Sequence, residues 1–195
     1  MPFELKGRVI FFATNNVNKF NEARVVFAEH EIAVGMLRAK TVEIQNDSLE
    51  EIARASVIAA FSECNLPVIV EDAGLFVEEL NWFPGPYAAY VYTTIGNRGL
   101  LRLMENVRRR KARFQSAIAY YDETLESPLC FRGEVTGEIM REERTDKDNP
   151  GFGFYPIFKP TNSDKTFAQM NTAEKNNYSH RARALRKFAE FYGTF

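Results

Sequence analysis

Apolar and polar positions along the chain alternate between two rhythms. Arg8-Val9-Ile10-Phe11-Phe12-Ala13 is a nearly continuous apolar run of the kind shown by a strand buried on both faces. A polar turn, Thr14-Asn15-Asn16-Val17-Asn18, leads into a helix on which Phe20, Ala23, Val26 and Phe27 share one face. The pattern predicts a second strand ending near Val42-Glu43-Ile44. A long helix follows, capped by Asp47 or Ser48, with Glu50 and Glu51 placed for a capping box. It carries Leu49, Ile52, Ala53, Ser56, Ala59 and Ala60 inward. Pro67 opens a third strand, Val68-Ile69-Val70, which runs into the acidic pair Glu71-Asp72 and Gly74. Phe83-Pro84-Gly85-Pro86 reads as a rigid turn, and helical segments follow to about Glu105. Period-two alternation then predicts an antiparallel hairpin, Ala112 to Tyr121 and Leu129 to Met140, turning over Asp122 to Pro128. Gly151-Phe152-Gly153-Phe154 reads as a loop. The last helix starts at Ser179, with Ala182, Leu185, Phe188, Ala189 and Tyr192 marking its buried face. Helix and strand alternate early and the hairpin comes late, so the expected fold is α/β on a mixed, twisted sheet.

Composition narrows this picture. A chain of 195 residues suits one domain, or two lobes sharing a sheet, and residues 1–195 are read as a single domain. Hydrophobic residues at 45% and charged residues at 26% argue against intrinsic disorder. With 25 basic and 26 acidic residues the net charge is -1, so the chain as a whole offers a nucleic-acid backbone no attraction. No apolar run approaches the roughly 20 residues of a membrane helix, and Met1-Pro2-Phe3-Glu4-Leu5-Lys6 lacks the layout of a signal peptide. Cys64 and Cys130 are too few and too scattered for a disulfide framework or a zinc knuckle, and a reducing, cytoplasmic setting is expected. His30 and His180 are the only histidines, so any metal must be held by oxygen.

Four places could carry chemistry. In the turn after the first strand, Thr14 to Asn18 and the helix start present backbone N–H groups and a positive dipole end, a seat for phosphate to which Lys19 adds charge. The same asparagines would equally serve to turn the chain and cap the helix. Glu43 and Glu71-Asp72 end apolar strands, where ligands of open α/β sheets bind, and converging carboxylates there suit Mg²⁺. Each alone is also what a solvated loop acid looks like, and Glu51, inside a capping box, reads as structural though close enough to assist. The run Glu174-Lys175-Asn176-Asn177-Tyr178-Ser179-His180-Arg181 gathers donors at a helix start. There His180 and Arg181 could read the edge of a base and Lys175 reach a phosphate or carbonyl. Phe152, Phe154 and Tyr155 either stack on a planar ring or close a core. The basic stretch Arg108 to Arg113 reads as a solvated loop, with a nucleic-acid-binding module as the alternative.

Taken in order, these stretches resemble the inosine triphosphate pyrophosphatase (Ham1-like) family over nearly the whole chain. Thr14-Asn15-Asn16-x-x-Lys19-x-x-Glu22 resembles its phosphate motif, and Glu43-Ile44-Gln45 its second acidic site. Val70-Glu71-Asp72-Ala73-Gly74-Leu75 resembles its catalytic segment, with Phe83-Pro84-Gly85-Pro86-Tyr87 at the expected interval. Gly151-Phe152-Gly153-Phe154-Tyr155-Pro156-Ile157-Phe158 is similar to its base-holding loop. Lys165-Thr166-Phe167-Ala168-x-Met170 then leads to Glu174-Lys175-Asn176-x-x-Ser179-His180-Arg181, similar to its purine-reading motif. Three positions depart from the family pattern: Asn15 stands for Gly or a small residue, Ala73 for Ser, and Tyr155 for Asp.

The resemblance implies an elongated, two-lobed fold with flanking helices and a cleft between the lobes. It implies hydrolysis of nucleoside triphosphates with non-standard purines (ITP, dITP, XTP) to the monophosphate and pyrophosphate, in a homodimer whose contact surface includes Trp82-Phe83-Pro84. Under it, Glu43 and Asp72 hold Mg²⁺ (or Mn²⁺), Asp72 activates water, and Lys19 holds the triphosphate at the turn Thr14, Asn15, Asn16, Val17, Asn18. Ala73, Phe152, Gly153, Phe154, Tyr155, Lys175, His180 and Arg181 surround the nucleotide. A purine-nucleotide sensor without turnover is the alternative from another class.

Overall fold

A computed structural model describes residues 8–39, 42, 44–146 and 151–194. Its elements, in chain order, are β1 (Arg8–Ala13), α1 (Val17–Ala28), β2 (Ile32–Leu37), α2 (Leu49–Cys64), β3 (Val68–Val77), β4 (Pro84–Gly85) and α3 (Ala88–Leu103). The hairpin β5 (Lys111–Tyr121) and β6 (Leu129–Ile139) follows, then β7 (Phe158–Pro160), α4 (Thr172–Tyr178) and α5 (His180–Tyr192). The expected α/β architecture on a mixed sheet is observed. Its strands run in the order β2-β1-β3-β5-β6-β7, with β4 added beside β3. β1 is parallel to β2 and β3, whereas β5, β6 and β7 are joined antiparallel.

Two expectations are corrected. The second strand ends at Leu37, not near Ile44: Ile32 to Leu37 pair in register with all of β1, and Val42 and Ile44 are exposed and outside any strand. The Phe83 to Pro86 turn contains a short strand, whose Pro84 and Gly85 pair with Phe76 and Leu75. Gly74 permits that pairing, because a Cβ there would stand 2.5 Å from the Gly85 carbonyl oxygen. Of the two candidate caps for α2, Ser48 takes the role: its Oγ accepts the Glu51 N–H at 3.4 Å.

Strand β3 organises the molecule. Its ten residues alternate between two faces, as any strand's must. Val68 and Val70 face α2, packing with Leu49, Ala53, Val57 and Ala60. Ile69 faces the opposite way, into a core with Ile10, Phe27, Ile118, Leu185 and Phe188. Further along that second face, Leu75 and Val77 enter another core with Leu100, Phe114, Phe158 and Phe167. Between Ile69 and Leu75 lies Glu71, and between Ile118 and Phe114 on the neighbouring strand lies Ser116. The two apolar cores on this face are therefore divided by a polar band.

The same stretch is where the sheet opens. β1 pairs with β3 only at Phe11↔Val68 and Phe12↔Ile69, while β4 pairs with β3 only from Leu75 onward. Val70 to Gly74 thus have a ladder partner on the β5 side alone. This crevice lies at the carboxyl end of β1, the place where open α/β sheets take ligands.

Candidate active site

The turn after β1 is built locally. Thr14 donates its N–H to the Leu37 carbonyl at 3.1 Å, and its Oγ1 accepts the Asn16 N–H at 3.1 Å. Asn16 is the N-cap of α1, its Oδ1 accepting the N–H groups of Asn18 and Lys19 at 3.0 and 3.2 Å. The asparagines therefore do cap the helix, and Asn15, Val17 and Asn18 stand exposed at the rim. One turn in, Lys19 reaches across the crevice. Its Nζ lies 2.8 Å from Glu71 Oε2 and donates to the Glu71 carbonyl at 3.3 Å.

Glu71 is the centre of a buried ion network. Its side chain is shut off from solvent, and Oε1 accepts Ser116 Oγ–H at 2.7 Å and Arg181 Nε–H at 3.0 Å. Arg181, 2% exposed, donates from Nη1 to Glu22 Oε2 and to the Tyr155 hydroxyl, the latter at 2.9 Å. Glu22 Oε1 meets Lys175 Nζ at 2.6 Å, and the Lys175 ammonium rides over the Tyr155 ring, 4.9 Å from its centroid. Asn176 Nδ2 donates to the Glu22 carbonyl at 3.2 Å. Burial alone would raise the Glu71 carboxyl, but the charges of Arg181 and Lys19 and the hydrogen bonds from Lys19 and Ser116 outweigh it. They hold the group well below the ordinary carboxylate range. Burial would likewise lower Arg181, yet Glu71, Tyr155 and Glu22 keep it firmly charged. Tyr155 is pushed up by burial and stays a neutral phenol.

His180 belongs to the same assembly by packing. Its ring is 1% exposed and stacks on Phe114 with centroids 4.8 Å apart and planes 13° from parallel. Burial first, then the Arg181 charge, lowers its pKa well below the ordinary histidine value, so the ring is neutral. Gly133 of β6 lets the start of α5 come this close, since a Cβ there would stand 2.0 Å from the His180 carbonyl oxygen.

The tertiary fold thus brings Lys19, Tyr155, Lys175, His180 and Arg181 into one cluster. Phe152 lies beside Tyr155, edge to face at 5.9 Å, and with Asn18, Asn21 and Lys175 it borders a cavity of about 100 Å³. Gly153 holds the loop turn at φ 57°. Phe154 is placed elsewhere: it is 3% exposed and packs edge-on to Tyr92 at 5.5 Å in the core. Ala73 is half-buried on the Glu71 face, opposite Ser116.

Asp72, one residue from Glu71, points to the other face of β3, opposite Ala117, and is half-buried. On that face a cavity of about 450 Å³ is bordered by Ser48, Glu50, Phe76, Gln115 and Ala117. Glu43 lies outside the described residues. Glu51 is exposed, 3.9 Å from Arg54, away from the network. Among the described residues no cluster of three metal-ligating side chains occurs.

Ser116 escaped the sequence reading, and Glu22 enters it only as the last residue of the phosphate motif, with no role of its own. Glu22 sits four residues before Val26 on the apolar stripe of α1, and Ser116 occupies an inward position of β5 between Phe114 and Ile118. A charge or hydroxyl on a buried stripe is the signal that identifies both. The basic stretch also needs correction as a solvated loop. Arg108 and Arg109 are exposed, but Arg110 is a brace: its guanidinium donates to the Ile139, Met104 and Met140 carbonyls at 2.7, 2.7 and 2.8 Å.

The sequence profile of the Ham1 family matches residues 10–191. The chain belongs to the Ham1 family. It is 46% identical over 183 residues to a dITP/XTP pyrophosphatase of Methanopyrus kandleri, covering 94% of this chain and 95% of that protein. With a dITP/XTP pyrophosphatase of Saccharolobus solfataricus it shares 44% over 190 residues, covering 97% and 96%. Solved Ham1 structures superpose closely. The HAM1 protein of Coxiella burnetii gives a TM-score of 0.83 at 27% identity, covering 96% of this chain and 100% of that one. The Staphylococcus aureus Ham1 protein gives 0.79 at 31%, covering 94% and 97%. The Ham1 match therefore spans the crevice and both cores.

Proposed function

We propose that this Ham1-family chain hydrolyses ITP, dITP and XTP to the monophosphate and pyrophosphate. The observation that carries the reading is the open edge of β3: a cationic network ending in Lys19 and Lys175 on one face, and the Asp72 carboxylate on the other. Relatives that align over nearly the full length and are named dITP/XTP pyrophosphatases support it. Lys19, at the mouth of the turn after β1, holds the phosphates, with Thr14 to Asn18 around them. Asp72 takes the proton of the water that attacks the α-phosphorus. Asp72, half-buried where β3 has a ladder partner on one side alone, carries hard oxygen donors of the kind that fit Mg²⁺ or Mn²⁺, and Glu43 is its expected companion. When bound, such an ion would neutralise the triphosphate and stabilise the departing pyrophosphate. Lys175, whose ammonium borders the small cavity beside Phe152, donates to the 6-oxo group. Arg181, with Nε and Nη1 already on carboxylates and phenol, positions Glu22 and Tyr155 rather than reaching the base itself.

The chain works as a homodimer in the cytoplasm. Trp82, Phe83, Tyr87, Tyr90 and Ile95, all exposed in the turn after β3 and along α3, offer apolar side chains to a second copy, and the free thiols Cys64 and Cys130 suit a reducing compartment. None of the described helices is long and apolar enough to cross a membrane.

The test is a panel of nucleoside triphosphates with Mg²⁺, read as pyrophosphate released. ITP, dITP and XTP turning over faster than ATP and GTP is the expected result, with loss of activity in EDTA. Release of orthophosphate instead, or binding without turnover, overturns the reading, and the second outcome leaves a nucleotide sensor.

A further inference from the structure

A lysine that meets a phosphate is usually a long, freely rotating side chain, and here it is held. Lys19 is 20% exposed at the mouth of the crevice, and Glu71 takes up two of its three N–H groups. Oε2 lies 2.8 Å from Nζ, and the main-chain carbonyl accepts at 3.3 Å. One N–H is left for a ligand. The carboxylate that holds the ammonium is itself fixed. Its side chain has no exposure, and its other oxygen, Oε1, accepts Ser116 Oγ–H at 2.7 Å and Arg181 Nε–H at 3.0 Å. Ser116 is buried in the middle of β5, a strand paired on both sides, and Arg181 is buried at the start of α5. The end of a flexible side chain on α1 is thus tied to the sheet and to the last helix.

We propose that Glu71 is a positioning residue for the phosphate contact: it holds the Lys19 ammonium at the crevice with one N–H left for the triphosphate, and Ser116 fixes Glu71 in that task. The inference rests on the function proposed above and deepens it, since Glu71 touches no substrate and acts through Lys19. Immobilising a long side chain at the moment of binding weakens affinity, and a side chain already ordered by the fold avoids that loss. Two effects of Glu71 oppose each other. Its negative charge repels a phosphate, whereas its hydrogen bonds hold the cation in place. Arg181 lies nearly as close to the carboxylate as Lys19 does, 3.0 against 2.8 Å, so the repulsion is largely cancelled within the fold and the positioning wins. The gain is roughly three- to tenfold in triphosphate affinity, the worth of one pre-ordered long side chain. It is the same for every base, because no base atom is involved.

The experiment is a double-mutant cycle on Glu71→Asp and Lys19→Ala. It is read by calorimetry with inorganic tripolyphosphate and Mg²⁺, and by pyrophosphate release from ITP and ATP. Glu71→Asp keeps the charge and gives up the reach to Lys19. It should weaken tripolyphosphate binding and raise KM for both nucleotides by roughly three- to tenfold, with kcat within about twofold of wild type. In the Lys19→Ala background the same substitution should change neither quantity by more than about twofold, because the side chain it positions is gone. Ser116→Ala removes one donor from Oε1 and no charge. It should reproduce the effect at about two- to threefold, and it carries the cycle if Glu71→Asp does not fold. Unchanged affinity in both variants, a loss that persists in full without Lys19, a fall in kcat alone, or a changed ratio of ITP to ATP overturns the positioning role and leaves the hydrolase reading intact. Coupling as expected on tripolyphosphate, with no pyrophosphate released from either nucleotide, overturns the hydrolase reading and leaves the positioning role. A wild type that neither binds tripolyphosphate nor turns over ITP overturns both.

Discussion

Glu71 and Asp72 are neighbours in the chain and opposites in the fold. Glu71 points to the face covered by α5 and α1, where Lys19, Ser116 and Arg181 close around it and solvent is excluded. Asp72 points to the α2 face, opposite Ala117, and is half-buried. A carboxylate whose oxygens are already held by in-chain donors contributes to stability and to the charge of the pocket. It has little left with which to hold a metal or take a proton from water. A carboxylate at the open edge of a sheet can do both. The acidic pair that reads in sequence as one catalytic feature is thus split between two faces, a buried ion on one and, under the function proposed above, the water-activating carboxylate on the other.

The comparison is broken most directly at Asp72. Asp72→Asn should cut pyrophosphate release by about 10²- to 10⁴-fold, the usual worth of a positioned acid–base group, while the thermal midpoint stays close to wild type. Turnover near wild type would move the base elsewhere. On the other face the expected loss is of folding rather than chemistry. Arg181→Ala leaves Glu22 and Glu71 without their shared cation and should cost about 3–5 kcal/mol in urea unfolding. A loss below about 1 kcal/mol, the size of a surface pair, would show that Glu71 is not a structural ion.

Lys19 sharpens the contrast because it touches both roles. Lys19→Ala should raise KM for ITP and ATP alike by roughly ten- to a hundred-fold, the worth of one charged contact, with the ratio between the bases unchanged. A changed ratio would place Lys19 on the base. The smallest effect concerns His180. Its proton is bound more weakly in the fold than in the unfolded chain, so stability is complete above a pH of about 6.5 and falls as pH drops below it. His180→Phe should flatten that part of the stability curve, measured as urea midpoints between pH 7 and 5. An unchanged slope would mean that the ring is protonated without cost.

Much of this was legible beforehand, and what was missed has a common cause. Strands β1, β3, β5 and β6 and helices α1, α2 and α5 follow from apolar period and turn residues, because those signals are local. The strand after α1 was misplaced because Val42 and Ile44 look like strand residues but find no partner, while Ile32 to Leu37 pair with β1. Phe154 looked like a base-stacking ring and is a core ring, since a Gly-rich loop leaves the direction of its aromatics to the packing around it. Arg110 looked solvated within a basic run, yet four carbonyls from two segments meet its guanidinium.

By itself the sequence determined the α/β class, the order of the elements, the capped turn after β1 and the six spaced motifs that align with the Ham1 family. These depend on residues within a few turns of one another, or on spacing alone. Only the tertiary structure decided which face of β3 each acid joins and which cations close around Glu71. The hydrogen bonds from Arg181 to Glu71 and Glu22 span 110 and 159 positions, and no local pattern states that they exist. The charge state and reach of a carboxylate depend on the donors and solvent around it. Those are set when α1, α4 and α5 close over β3, not when the chain is written.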